Sequence, residues 1–235
     1  MGEFGIELSD RQQESWSAVE HLVRLFRLRS TDEPALVSAV CGEAVRLVDP
    51  AQHAGVILAI GRRHLEVVAT TGPIPQQLDE LQQQKGLGPC LSAARSQEVV
   101  RLEDVRTDRR WPPFTERAAA AGVGSMLCLP LHVDATTYGT LSLYADTPRA
   151  FKDVTESVAR VLAVLAAITL SESRGKANLE RALASRDLIG QAKGIIMHAH
   201  RVTADEAFAL LVRRSQETNT KLVDVAEAVT RTGVV

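Results

Sequence analysis

The sequence predicts an α+β domain, an antiparallel sheet flanked by helices, followed by a coiled-coil helix and an all-α domain of three helices. Three observations carry this expectation. Short β-prone runs broken by Gly and Pro fill the chain between Ala54 and Tyr144. Val158, Val161, Leu165 and Ile168 then alternate four and three residues apart, the spacing of a coiled-coil seam. Beyond Phe151 the apolar pattern stays helical to the end. The expected division is a first domain over 10–150, a connector helix over 151–178 and a helical domain over 179–235.

The elements follow in order. Leu8 to Arg29 places Trp16, Val19, Leu22, Val23 and Phe26 near a 3.6-residue period, an amphipathic opening helix. Ser30-Thr31-Asp32-Glu33-Pro34 supplies a stop, a cap and a first-turn proline, and Ala35 to Val48 reads as a second helix. Ala54 to Ile60 and Leu65 to Thr70 form a hairpin around Gly61-Arg62-Arg63-His64. Leu78 to Gln84 is helical, and Gly86-Leu87-Gly88-Pro89 is a loop by composition. Val99 to Leu102, Ser125 to Leu131 and Thr140 to Tyr144 complete the sheet, with a helix over Trp111 to Ala121. In the connector, Glu172 and Gly175 fall on seam positions, so Ser171 to Lys176 is an expected weak point, frayed or hinged. The last helices are expected over Ala184 to His198, from the Thr203-Ala204-Asp205-Glu206 capping box onward, and over Leu222 to Val229.

Composition narrows the function classes. The chain has 235 residues, 45% hydrophobic and 24% charged, which suits a soluble globular protein. A net charge of −2 gives no whole-chain attraction to polyanions, so any such site must be a local patch. Val158 to Leu170 falls short of the roughly 18 apolar residues that span a bilayer, and Met1 to Asp10 lacks the basic start of a signal peptide. No membrane partner is expected. Cys41, Cys90 and Cys128 are odd in number and lack CxxC spacing, which points to reduced thiols in the cytoplasm. His53, His64 and His132 are scattered, and no metal site is expected.

The C-terminal stretch resembles the ANTAR family of RNA-binding antiterminator domains. The resemblance rests on Leu183-Ala184-Ser185-Arg186-Asp187-Leu188-Ile189-Gly190-Gln191-Ala192-Lys193-Gly194-Ile195-Ile196-Met197, then Asp205-Glu206-Ala207-Phe208, Leu211 and Arg213-Arg214-Ser215-Gln216. It closes on Asn219, Lys221-Leu222 and Asp224-Val225-Ala226. It implies a homodimer that binds paired stem-loops in nascent leader RNA and prevents a terminator hairpin from forming. Arg186, Lys193, Arg213, Arg214 and Lys221 would neutralise phosphate, while Gln191, Ser215 and Asn219 would make finer contacts. Arg186 and Lys193 lie seven residues apart, two turns along one helix face. Gly194 costs about 1 kcal/mol of helix stability relative to Ala, which suits a position that something approaches closely. From charge alone, a solvated basic face on a three-helix dimerisation module is the favoured reading, and the resemblance reverses it.

The N-terminal part resembles the GAF family of small-molecule sensor domains. The residues behind this are Gly86-Leu87-Gly88-Pro89-Cys90, Asp104, Asp108-Arg109-Arg110-Trp111-Pro112, Gly122-Val123-Gly124-Ser125, Leu129-Pro130-Leu131, Gly139 to Tyr144 and Phe151. The whole is thus expected as a GAF-like sensor, a coiled coil and an ANTAR output. A ligand pocket is expected from Val56, Leu58, Trp111, Phe114, Leu129 and Leu131, closed by Gly86, Pro89 and Cys90. The ligand, and any cofactor, is unknown. No stretch resembles the NKxnFx₃DE signature of cyclic-nucleotide GAF domains. Cys90 follows Pro89 near an expected helix start, where backbone N–H groups would favour a thiolate, and some GAF proteins reduce free methionine sulfoxide with cysteines, so Cys90 and Cys128 raise a redox-enzyme alternative. A third reading is a protein–protein signalling module whose helical tail docks on another regulator. The expectation is a regulator rather than an enzyme.

Overall fold

The computed structural model describes residues 33–60 and 64–234. The expected opening helix and residues 61–63 of the hairpin lie outside them. The chain divides between Ser173 and Arg174 into two compact units.

In the first unit, helix α1 (Glu33–Leu47) buries Leu36, Val37, Val40, Cys41 and Ala44, a single stripe of 3.6-residue period. Strands β1 (His53–Ile60) and β2 (His64–Thr70) pair antiparallel. Helices α2 (Pro73–Lys85) and α3 (Pro89–Ser96) each begin on a proline whose fixed φ suits a first turn. Strand β3 (Val100–Leu102), helix α4 (Pro112–Ala120) and the hairpin of β4 (Ser125–Val133) and β5 (Thr136–Ala145) complete the unit. The sheet order is β2-β1-β5-β4-β3, antiparallel throughout.

Strand alternation sends side chains to two separate cores. Val56, Leu58, Leu127, Leu129, Leu131, Leu141 and Leu143 pack with α1 and with the first turns of α5 (Asp153–His200). Ile57, Met126, Cys128 and Tyr144 face the other way and pack with Leu78, Cys90, Ala93, Phe114 and Ala118 of α2, α3 and α4. The sheet is therefore the middle of three layers.

Pro89 opens α3, the helix start expected beside Cys90. Strand β5 begins at Thr136 rather than Thr140, because Asp134 takes a left-handed φ of 50° and closes a tight turn. Ser171 to Lys176 lies within the continuous helix α5. One 18-residue window of α5 has a mean hydropathy of 1.6, enough by length and composition to cross a bilayer. In this fold Ala159, Leu162, Ala163, Ala166, Ala167 and Leu170 spend that apolarity on the sheet.

In the second unit, the end of α5 packs with α6 (Ala204–Thr218) and α7 (Leu222–Thr232) around Ala192, Ile196, Ala207, Leu211, Val225, Ala226 and Val229. The capping box forms as expected. Thr203 Oγ1 accepts from the Glu206 backbone N–H, and the Thr203 N–H donates to Glu206 Oε2 at 2.8 Å.

Candidate functional site

The expected sensor pocket is not assembled. Val56, Leu58, Leu129 and Leu131 are fully buried in the core beneath α1 and α5, whereas Cys90, Phe114 and Trp111 belong to the opposite face. The period of two forbids both sets from lining one cavity. Gly86 instead caps α2 with a φ of 65°, and Pro89 is buried at the start of α3.

The face that holds Cys90 carries a buried polar cluster. Tyr144 donates its hydroxyl to Asp79 Oδ1 at 2.7 Å, and Gln82 Nε2 donates to the same oxygen at 3.1 Å. Gln82 Oε1 accepts from the Cys90 backbone N–H at 2.9 Å, and Thr140 donates to the Cys90 carbonyl at 2.9 Å. Cys90 Sγ stands 2.9 Å from Ser142 Oγ, 3.6 Å from Asp79 Oδ1 and 3.8 Å from Cys128 Sγ. Two glycines admit this arrangement. A Cβ on Gly55 would lie 2.5 Å from Asp79 Oδ2, and one on Gly88 would lie 2.3 Å from Gln82 Oε1.

Asp79 Oδ2 is buried and has no hydrogen-bond partner among the described residues. Burial pushes the Asp79 carboxyl up to about 7, while bonds from Tyr144, Cys90 and Gln82 pull it partly back. Burial also pushes the Cys90 thiol well up, and the adjacent Cys128 adds to the rise. Cys90 and Cys128 are both sealed from solvent, and a protonated thiol is a poor nucleophile. That disfavours the redox-enzyme reading. Cys41, held up to about 12 chiefly by burial, is equally inert.

Sequence reasoning missed Asp79, Gln82, Thr140, Ser142 and Tyr144. A signal existed: Thr140, Ser142 and Tyr144 alternate with Leu141 and Leu143, and Asp79 and Gln82 share one face of α2. A cavity of about 240 Å³ opens nearby between Leu81, Lys85, Leu87, Trp111 and Phe114, with Arg110 stacked 4.5 Å over the Trp111 ring. Of the expected pocket residues, it gathers only Trp111 and Phe114.

The helical unit displays its basic residues differently. Arg186, Gln191 and Gly194 are exposed on α5, Arg213 and Arg214 on α6, and Asn219 and Lys221 in the turn before α7. Lys193 is half-buried, with Nζ 5.7 Å over the ring of Phe208. A Cβ at Gly190 or Gly194 would meet nothing within 4 Å, so no contact among the described residues requires either glycine. Ser215 donates its hydroxyl to the Thr220 carbonyl at 2.6 Å, and Asn219 caps α6 with a φ of 50°. Both residues thus shape the α6–α7 turn.

A family model described as GAF domain matches residues 30–171, and one described as ANTAR domain matches residues 177–229. No curated protein matches this chain. Solved structures with a similar fold include the GAF domain of a phosphoenolpyruvate-protein phosphotransferase from Acinetobacter. It is 15% identical over 69% of this chain and 98% of that one, with a TM-score of 0.53. The corresponding domain from Coxiella burnetii is 16% identical over 70% and 98%, with a TM-score of 0.53. A free methionine-R-sulfoxide reductase from Neisseria meningitidis is 18% identical over 75% and 99%, with a TM-score of 0.54. At these identities the likeness is one of fold.

Proposed function

Because this chain belongs to the GAF-domain family and carries an ANTAR domain behind the sensor, we propose that it is a signal-regulated transcription antiterminator. It binds paired stem-loops in nascent leader RNA, holds an antiterminator structure and so prevents the terminator hairpin from forming. The general kind, a sensor domain coupled to an RNA-binding regulatory domain, follows from the two families. The RNA target, the dimer, the cytoplasmic setting and the absence of catalysis are part of the proposal. So is the division into a sensor over 10–150, a connector over 151–178 and an output over 179–235.

The observation that carries the reading is the ANTAR match on a locally basic unit. Residues 174–235 hold ten Lys and Arg against seven Asp and Glu, in a chain with 27 against 29 overall. That local excess lets an otherwise slightly acidic protein approach RNA through one unit. Arg186, Lys193, Arg213, Arg214 and Lys221 neutralise phosphate, and Gln191 supplies a hydrogen bond to a loop nucleotide. Ser215 and Asn219 act mainly by fixing the turn that presents Lys221. The exposed glycines at 190 and 194 let an RNA strand pass close to the α5 backbone.

A second copy of the chain completes the reader. Val158 and Val161 are exposed, and Leu165 and Ile168 half-buried, on the face of α5 turned from its own sheet. Pairing this seam in parallel sets two output units side by side, and linkage raises the effective affinity for two stem-loops. The deciding experiment is an electrophoretic shift of two-stem-loop RNAs selected by the full chain from a random-loop library. Retention of such RNA by the wild-type dimer is expected. Failure to enrich any RNA at low salt, with the sensor saturated by candidate metabolites, overturns the reading.

A further inference from the structure

Phe208 is the one aromatic among the large hydrophobic side chains that stand exposed in the described residues, at 40%. Its neighbours on α6 do the packing: Ala207 and Leu211 are fully buried, and Phe208 is not part of the apolar core they form. Part of the ring face thus stays open to solvent outside that core.

The ring is also not alone. Lys193 comes from α5, a different element, and sets its ammonium 5.7 Å from the ring centroid. Both groups are partly open to water, so the cation–π contact between them is weak and readily exchanged. Gly190, one turn before Lys193, leaves open space on that side of α5. The local features are a partly open π face, a cation over it and clear space beside the cation. A nucleotide presents the complement, a flat base joined to a phosphate about one side-chain length away. Asp205, one turn before Phe208 on α6, would repel that phosphate, so the phosphate lies toward Lys193 and α5.

We propose that the Phe208 ring is a stacking platform for an unpaired RNA base, and that Lys193 leaves the ring face for the adjoining phosphate when the base arrives. The inference rests on the RNA-binding reading and names how that site recognises a single-stranded nucleotide. Every base has a π face, so this contact gives affinity for unpaired loops over paired stems rather than for one base.

The test uses the full chain and an RNA enriched by the wild-type protein from a library of two-stem-loop RNAs with randomised loops. Phe208→Ala and Phe208→Leu should each weaken binding by about tenfold, the scale of one lost base–aromatic stack. Phe208→Trp should bind within about threefold of wild type on the same scale. The slope of affinity against salt should stay unchanged in Phe208→Leu, because no phosphate contact is lost, and should flatten in Lys193→Ala. Light scattering and circular dichroism on each variant separate loss of stacking from loss of assembly or helix. Wild-type affinity in Phe208→Leu overturns the proposal, since Leu keeps apolar bulk without a π face. So does a Leu variant that weakens binding only because it no longer dimerises. If the wild type enriches no RNA, the RNA-binding reading falls first and this inference falls with it.

Discussion

Asp79 is a carboxyl taken fully out of water with one oxygen unpartnered among the described residues, and that cost depends on pH. Its pKa rises from an ordinary 3.8 to about 7 in the fold. Below about pH 4 both folded and unfolded chains carry the proton and no penalty arises. As pH rises, the unfolded chain ionises first, so stability falls until the folded carboxyl also ionises near pH 7. The full penalty is on the order of 4 kcal/mol, and part of it falls between pH 5.5 and 8. The melting temperature of the full chain should therefore drop by several degrees over that interval. Asp79→Asn should remove most of the drop, and an equal drop in the variant would contradict this account of the cluster. Cys90→Ser should leave RNA affinity within about twofold, because the thiol belongs to the sensor and touches no phosphate. The cluster was only half legible in the sequence. Cys90 stood out by its loop, but the partners that hold it come from α2 and β5, and a single sequence does not pair distant elements.

At the scale of elements, α5 has two apolar faces with different fates. Ala159, Leu162, Ala166 and Leu170 are buried on the sheet, while Val158 and Val161 remain exposed. Placing Asp at Leu165 and Ile168 should convert a dimer into monomers, read by light scattering at micromolar concentration. A wild type that is already monomeric there would remove the paired-reader model. Covering the seam from both chains would stabilise the proposed dimer by several kcal/mol at about 25 cal/mol per Å². The capping box at Thr203 makes a smaller prediction. Thr203→Ala should cost about 1 kcal/mol of stability, seen as a lower melting temperature of the helical unit.

Most elements were legible because their apolar periods are strong. The capping box and all five strands needed only local pattern. The expected pocket failed for a reason the same pattern contains: Val56 and Leu58 share one strand face, and Ile57 takes the other. Applying that period to Leu129 and Leu131 would have placed them under α1 and α5 rather than beside Cys90. The start of helix α3 was legible at Pro89, because a proline after the Gly86-Leu87-Gly88 loop suits a first turn. The expected weak point at Ser171 to Lys176 reflects seam positions lacking apolar side chains, which does not break hydrogen bonds inside one helix.

For the whole molecule, the central claim is that a slightly acidic protein binds RNA through one basic unit. Electrostatics make that claim measurable, since each phosphate contact releases condensed counterions and ties affinity to salt. The most direct measurement is the affinity of the full chain for its enriched two-stem-loop RNA across a salt series, for wild type and Lys193→Ala. The account predicts a linear fall of log affinity with log salt, of slope roughly −0.7 per phosphate contact for single strands. It also predicts weaker binding in Lys193→Ala, with the slope flatter by about one contact's share. A wild-type affinity indifferent to salt, or a Lys193→Ala protein that matches wild type in both affinity and slope, would contradict it.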